Sequence, residues 1–174
     1  MASLTVSEMP FFIWLGVGEA KNSDLLDRFL KEYPNGQTVL VEVRSSVLNL
    51  LKNKYKNYEN FNFVNAAIDI AEEEKDFFIF NNEEYSSFKK PADLKSLFPG
   101  LVVTGVENKY TSDLGVFIEE LNINREINNH LFIDLPGQAL DLVGNLKKNS
   151  MLNIFSNIHI TTSALDLYEL GGSR

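Results

Sequence analysis

The chain has 174 residues, of which 44% are hydrophobic and 11% aromatic, enough for one domain with a substantial core. Its net charge of −8 disfavours nucleic acid as a partner, because such binding depends on neutralising phosphates. The absence of cysteine excludes disulfides, thiolate metal sites and cysteine nucleophiles. No apolar run reaches the roughly 18 residues of a membrane-spanning helix, and the first ten residues lack a signal-peptide pattern. We therefore expect a cytoplasmic protein without a membrane span.

Short apolar runs alternate with helical patterns from the first to the last third of the chain. Met9–Leu15, Thr38–Val43 and Phe61–Ile68 are predicted strands, and the first two have the continuous apolar character of strands buried on both faces. Between them, stripes beginning at Leu25 and at Val47 predict two helices. Such alternation is the pattern of right-handed βαβ units in a parallel sheet.

The second half predicts further elements with less regular spacing. The predicted strands are 76–80, with the look of a sheet edge, and 101–106, 130–135 and 154–161. Three helices are predicted: one at 94–98, one that begins after a cap at 111–113, and one that follows Pro136-Gly137. The whole pattern predicts one α/β domain with a doubly wound, mostly parallel, Rossmann-like sheet and helices on both of its faces.

The stretch IWLGVGEA places Gly16 and Gly18 directly after the first strand. Ligands bind beyond the carboxyl ends of the strands in such sheets, and glycines let a backbone approach them closely. Glu42 ends the second strand 24 residues after Gly18, which suits a carboxylate that accepts hydrogen bonds from ribose hydroxyls. The alternative is a surface glutamate or an ion pair with Arg44. The third glycine of a dinucleotide loop is missing, which favours a nucleoside ligand without a pyrophosphate over NAD.

With VLVEV, FVNAAI and HLFIDLPGQALDLV following it, the glycine loop resembles the class I S-adenosylmethionine-dependent methyltransferases, specifically their FkbM-like branch. The similarity extends over about residues 10 to 170. It implies a SAM-dependent O-methyltransferase that acts on a hydroxyl of a sugar, glycan or small metabolite. The family usually continues into a closing hairpin, so the resemblance also implies that residues 1–174 are one domain cut short at its C-terminus.

The resemblance implies roles for residues at matching positions. Gly16 and Gly18 would flank the methionine part of the cofactor, Glu42 would hold the ribose, and Asp134 would face the methyl-transfer centre. Three residues would lie beside the adenine: Asn65, Ala66 and Ala67. The chain also departs from the family, since Trp14 replaces an acid before the loop and Ala139 replaces the last acid of the late motif.

Asp134 is one candidate for the base that takes the acceptor proton, and a helix-capping aspartate is the alternative. His159, on the last predicted strand, is a second candidate base, with a structural histidine as its alternative. No histidine shows metal-ligand spacing, so no metal is expected. The lost acids favour a second hypothesis, a catalytically inactive methyltransferase-like module for binding or assembly within a larger glycan-synthesis protein. The acceptor, the oligomeric state and any other domain of a longer chain do not follow from the sequence.

Overall fold

The computed structural model describes residues 8–21, 23–163 and 167–169. Its main sheet has five parallel strands in the order β3-β2-β1-β7-β8. The strands are β1 (Phe11–Leu15), β2 (Gln37–Val41), β3 (Phe61–Val64), β7 (His130–Ile133) and β8 (Asn157–Ile160). All five residues of β1 are buried, which is the physical reason for its continuously apolar sequence.

Helices cover both faces of this sheet. On one face, Phe12 and Trp14 pack with α1 (Asp24–Glu32) and α2 (Ser45–Lys54). On the other, Ile13 and Leu15 pack with α4 (Leu114–Glu120) and α5 (Ala139–Lys148). Alternate residues of β1 therefore enter two separate cores, as the period of two along a strand requires. The predicted doubly wound, parallel Rossmann-like architecture is confirmed.

Strand order reverses at β1, which pairs with β2 on one side and with β7 on the other. Leu15 is level with Val41 and with Ile133, so all three strands end at the same edge of the sheet. The loops that follow β1 and β7 diverge toward helices on opposite faces. This divergence leaves a crevice at the place where doubly wound folds bind ligands.

A second, three-stranded sheet has the order β4-β6-β5 and contains β4 (Ala67–Asp69), β5 (Glu74–Phe80) and β6 (Val103–Asp113). It corrects two predictions. The predicted strand 61–68 is two strands in different sheets, and the predicted strand 101–106 extends to the start of α4. Asn65 lies at the break, where its Nδ2 donates to the carbonyls of Glu42 (2.8 Å) and Val43 (3.0 Å). Asp113 both ends β6 and caps α4, accepting from Val116 N at 3.1 Å.

The segment between β5 and β6 contains a 3-10 turn at Glu83–Tyr85 and the short helix α3 (Leu94–Leu97). Tyr168 packs with Phe80, Leu94 and Leu101, and its hydroxyl donates to the Tyr85 carbonyl at 2.8 Å. The last strand is shorter than predicted because residues Leu152–Ile154 form a 3-10 turn. Asn22, in the predicted start of α1, and the predicted truncation at 171–174 lie outside the described residues. No helix in the described ranges combines the length and apolarity needed to cross a membrane.

Candidate functional site

A cleft of about 1140 Å³ opens at the carboxyl edge of the main sheet. One wall is the loop after β1 and the end of β2, and the other is the loop from β7 into α5. The segment 81–89 and residues 167–169 border it on a third side. The cleft therefore occupies the crevice that the reversal of strand order creates. Its volume lies slightly above the usual range for small-molecule sites, roughly 300 to 1000 Å³.

The glycine loop has the conformation that its sequence predicts. Gly16 and Gly18 have φ values of +76° and +54°, in the left-handed region where glycine is favoured. A Cβ at Gly16 would lie 2.4 Å from the carbonyl oxygen of Asp134, so the two loops can meet only through a glycine. A Cβ at Gly18 would meet nothing closer than the Arg44 Nη2, at 3.9 Å. Space in front of Gly18 is thus open for a ligand.

Glu42 lies at the end of β2 with 3% of its surface exposed, and it lines the cleft. Its Oε2 accepts from Gly18 N at 2.9 Å, which fixes the glycine loop to the second strand. Its Oε1 accepts from the backbone N and the Nε of Arg44, at 3.0 and 2.9 Å, and Arg44 Nη2 lies 3.4 Å from Oε2. A carboxylate has about four acceptor positions, and all four are engaged. The ion pair with Arg44, foreseen as an alternative to ribose binding, is present, and a ribose would compete with it.

Arg44 is itself part of the cleft wall. Burial alone would lower the pKa of its guanidinium, but the carboxylates of Glu42 and Glu83 outweigh that effect and raise it. Arg44 Nη1 donates to Glu83 Oε2 at 2.5 Å. One guanidinium therefore joins the end of β2 to the segment 81–89 on the third side of the cleft.

Asp134 follows β7 directly, and its backbone N donates to the Leu15 carbonyl at 2.9 Å. Burial raises the pKa of its carboxyl, and the negative charge of Glu84 adds to the increase. Polar groups of Thr161 and Trp14 face the carboxylate and partly offset this effect. The Trp14 indole N–H is buried and has no hydrogen-bond partner of good geometry among the described residues. A half-buried carboxyl that lines a cleft and has a raised pKa is a candidate functional group.

Six of the eight residues predicted for the site line the cleft: Gly16, Gly18, Glu42, Ala66, Ala67 and Asp134. The other two lie elsewhere. Asn65 directs its amide to the carbonyls of Glu42 and Val43, so it supports the end of β2. His159 lies inside β8, level with Phe132, and is not part of the cleft wall. Its role as a base stays a prediction without support from its position.

Three ion pairs connect the segment 81–89 to the walls of the cleft, and we call this segment the strap. Glu83 pairs with Arg44, Glu84 with Lys21 of the glycine loop, and Lys89 with Asp141 of α5 at 2.5 Å. The sequence indicated only a turn at Glu83 and Glu84, because partners 39 and 63 residues away leave no local pattern. The strap thus borders the cleft and is linked by ion pairs to both of its other walls.

The charged residues that line the cleft are mostly acidic. Seven acids and three bases give a net charge of −4 when all are ionised: Glu19, Glu42, Glu83, Glu84, Asp134, Asp141 and Glu169 against Lys21, Arg44 and Lys89. This balance favours a ligand with positive charge and disfavours a pyrophosphate. In the described part of the chain, no group of three or more His, Asp or Glu side chains could hold a metal ion.

No protein-family model matches this chain, and neither a curated protein nor a solved structure is significantly similar to it. The methyltransferase resemblance therefore rests on the motifs of the sequence alone.

Proposed function

We propose that the cleft binds S-adenosylmethionine and that the protein is an O-methyltransferase for a hydroxyl of a sugar, glycan or small metabolite. The observation that carries this proposal is the acidic cleft at the reversal of strand order, entered by an open glycine loop. A sulfonium and an ammonium group suit a cleft with net charge −4, whereas the two phosphates of NAD do not. The negative charge of the cleft thus favours S-adenosylmethionine over NAD, as does the missing third glycine.

The residues at the glycine loop fit the cofactor directly. At the ribose position the cofactor would have to displace an existing ion pair. Gly18 leaves open space, and the small side chains of Ala66 and Ala67 border the same cleft. Glu42 reaches the cleft but has its acceptor positions filled, mainly by Arg44. Binding of the ribose to Glu42 therefore requires the guanidinium of Arg44 to move off the Glu42 carboxylate. Its existing ion pair with Glu83 would still neutralise its charge.

The bound cofactor would supply an electrophilic methyl group on sulfur. In this proposal the carboxylate of Asp134 accepts the proton of the acceptor hydroxyl as its oxygen becomes a nucleophile. The raised pKa of Asp134 brings its basicity closer to that of a useful base, and the hydroxyl of Thr161 helps to orient it. In this proposal the strap, held to the cleft walls by its three ion pairs, limits the access of water to the bound cofactor.

One observation favours the alternative of a catalytically inactive binding or assembly module. The carboxylate that would hold the ribose is fully engaged by the protein, and the strap is tied to the same cleft wall through Arg44. An inactive domain could keep such a network for stability alone. The two proposals differ in whether the network opens for a ligand.

Calorimetric titration of the whole chain with S-adenosylmethionine, S-adenosylhomocysteine and NAD tests the proposal. We expect saturable binding of the first two and none of NAD, with Glu42→Ala weakening binding by about 1–3 kcal/mol. Tyr58→Ala, a change at an exposed ring away from the cleft, is the control. Binding of NAD alone would replace the methyltransferase proposal by an oxidoreductase, and absence of all binding at millimolar ligand would leave the inactive module.

A further inference from the structure

The first turn of α5 faces the same cleft, on the side opposite the glycine loop. The backbone N–H groups of Ala139, Leu140 and Asp141 donate to no acceptor among the described residues, since the first bond of the helix runs from Leu142 N to the Gln138 carbonyl. All three residues line the cleft. The ten-residue helix therefore presents free amides, and the positive end of its dipole, to whatever the cleft holds.

Gln138, the residue that precedes this helix, supplies a second and independent observation. It lines the cleft, is 2% exposed, and has a side-chain Nε2 that finds no hydrogen-bond partner in the described part of the chain. Its side chain does not cap α5 either. Buried amide nitrogens are nearly always paired in folded proteins, so an unpaired one at a cleft wall points to an acceptor atom that a ligand brings.

The charged groups around Gln138 indicate which kind of hydrogen-bond acceptor a ligand would bring. The cation of Lys89 is already neutralised by Asp141, which leaves the helix amides and the Gln138 amide as the groups that attract an oxygen. A dianionic phosphate would conflict with the acidic lining of the cleft. A carboxylate carries a single negative charge. It can accept hydrogen bonds from the helix amides and from Gln138, and the acidic lining repels it less than it repels a phosphate.

We propose that the N-terminal turn of α5 and the Gln138 amide bind a carboxylate of the methyl acceptor, so that the acceptor is a hydroxy acid such as a uronic sugar. Asp134 and Gln138 lie on the same loop from β7 and both line the cleft, so the proposed base and the proposed carboxylate site share one wall. The assignment of this carboxylate to the methyl acceptor rests on the proposed function. The carboxylate site itself stands on the helix end and on Gln138.

The test is a titration of the ¹⁵N-labelled whole chain, followed by NMR at constant ionic strength, with sodium glucuronate and with the neutral methyl ester of glucuronic acid. We expect saturable shifts of the Ala139, Leu140 and Asp141 amides and of the Gln138 side-chain amide with glucuronate alone. Equal binding of the ester, or no saturable shift at these amides, would overturn the proposal.

Gln138→Leu removes the amide at similar size and should weaken glucuronate binding about tenfold, the usual effect of losing a bond to a charged group. Gln37→Leu, at the opposite edge of the sheet where β2 begins, is the matched control and should leave binding unchanged. Because the Nε2 has no protein partner, Gln138→Leu should not lower the temperature of unfolding. Unchanged glucuronate affinity in this variant would overturn the role of Gln138.

S-adenosylhomocysteine, titrated into the same two variants, separates this inference from the proposed function. Its affinity should be equal in both, because the glycine loop is on the other side of the cleft. Glucuronate binding at α5 without any S-adenosylhomocysteine binding would support the carboxylate site and overturn the methyltransferase. The reverse result would keep the cofactor site and overturn the carboxylate site.

Discussion

Gly16 lies so close to Asp134 that a single added carbon would come within 2.4 Å of the Asp134 carbonyl oxygen. The contact joins the two loops that border the cleft, and it occurs at a residue with φ of +76°. Both the close approach and the backbone conformation therefore require glycine. The architecture of the site and the stability of the fold depend on the same residue.

The first prediction concerns this contact. Gly16→Ala should lower the free energy of unfolding by about 2–4 kcal/mol, because it combines a steric clash with a left-handed backbone. Gly144→Ala, within α5 and with open space around it, is the matched control. The control should raise stability by about 0.5–1 kcal/mol, since alanine is the better helix former. Urea unfolding of the three proteins measures both effects, and equal stability of Gly16→Ala and the unmodified chain would contradict the account.

The second prediction concerns the ion pair of Glu42 and Arg44. In a double-mutant cycle with Glu42→Gln and Arg44→Gln, we expect a coupling energy of about 1–3 kcal/mol, because Glu42 is almost fully buried. The exposed pair of Glu107 and Lys109, at 2.7 Å, gives a reference cycle that should show less than about 0.5 kcal/mol. Urea unfolding provides the free energies. Additive effects at Glu42 and Arg44 would show that the buried network is weaker than its geometry indicates.

The third prediction concerns pH. A carboxyl whose pKa is raised by folding holds its proton more tightly in the folded chain, so its contribution to stability is present below the ordinary value of 3.8 and is lost as pH rises through the raised pKa. Asp134→Asn has no such charge to bury. The stability of this variant relative to the unmodified chain should therefore increase as pH rises from about 4 toward neutrality. Urea unfolding of both proteins across that interval is the measurement, and a difference independent of pH would contradict the raised pKa.

The fourth prediction concerns the strap. Glu83 and Glu84 have exposed side chains, so replacing both by Gln should change the free energy of unfolding by only about 0–1 kcal/mol per ion pair. Opening of residues 81–89 should nevertheless become more frequent, because two of the three links to the cleft walls are lost. Hydrogen exchange followed by mass spectrometry should show several-fold faster exchange in this segment.

High salt should produce the same increase in the unmodified chain, because it screens exposed charges. Glu107→Gln removes an exposed ion pair that includes no residue of the strap, and it should leave exchange in residues 81–89 unchanged. If neutralising Glu83 and Glu84 has no effect on this segment, backbone contacts such as those of Phe78 with Ser87 hold the strap.

The elements of the main sheet could be predicted because their sequences carry strong local signals. β1 is apolar throughout since it is buried on both faces, and the glycine loop follows it directly. The second sheet left a weaker signal, because only two residues of β5 and one of β6 are buried, and their burial does not alternate regularly. The division of the predicted strand 61–68 depends on the bonds of Asn65 to the end of β2, which no local pattern encodes.

For the site, sequence spacing was enough to bring Gly18 and Glu42 together, since both follow neighbouring strands of one parallel sheet. The orphan amide of Gln138 could not be foreseen, because the lack of a partner is visible only when all neighbours are placed. The ion pairs of the strap could not be predicted either, since the partners of Glu83 and Glu84 lie far away in the sequence. Long-range electrostatics is thus the part of the site that one sequence does not contain.

The central claim is that the cleft beside Gly18 holds the nucleoside cofactor, and an NMR titration of the whole chain with S-adenosylhomocysteine tests it most directly. The account predicts saturable shifts of the Gly16, Gly18 and Ala67 amides, together with an altered Arg44 Nε resonance as the guanidinium leaves Glu42. Resonances at the opposite edge, such as Gln37, should not move. Absence of saturable shifts at the glycine loop at millimolar ligand, or shifts confined to another surface, would contradict the claim.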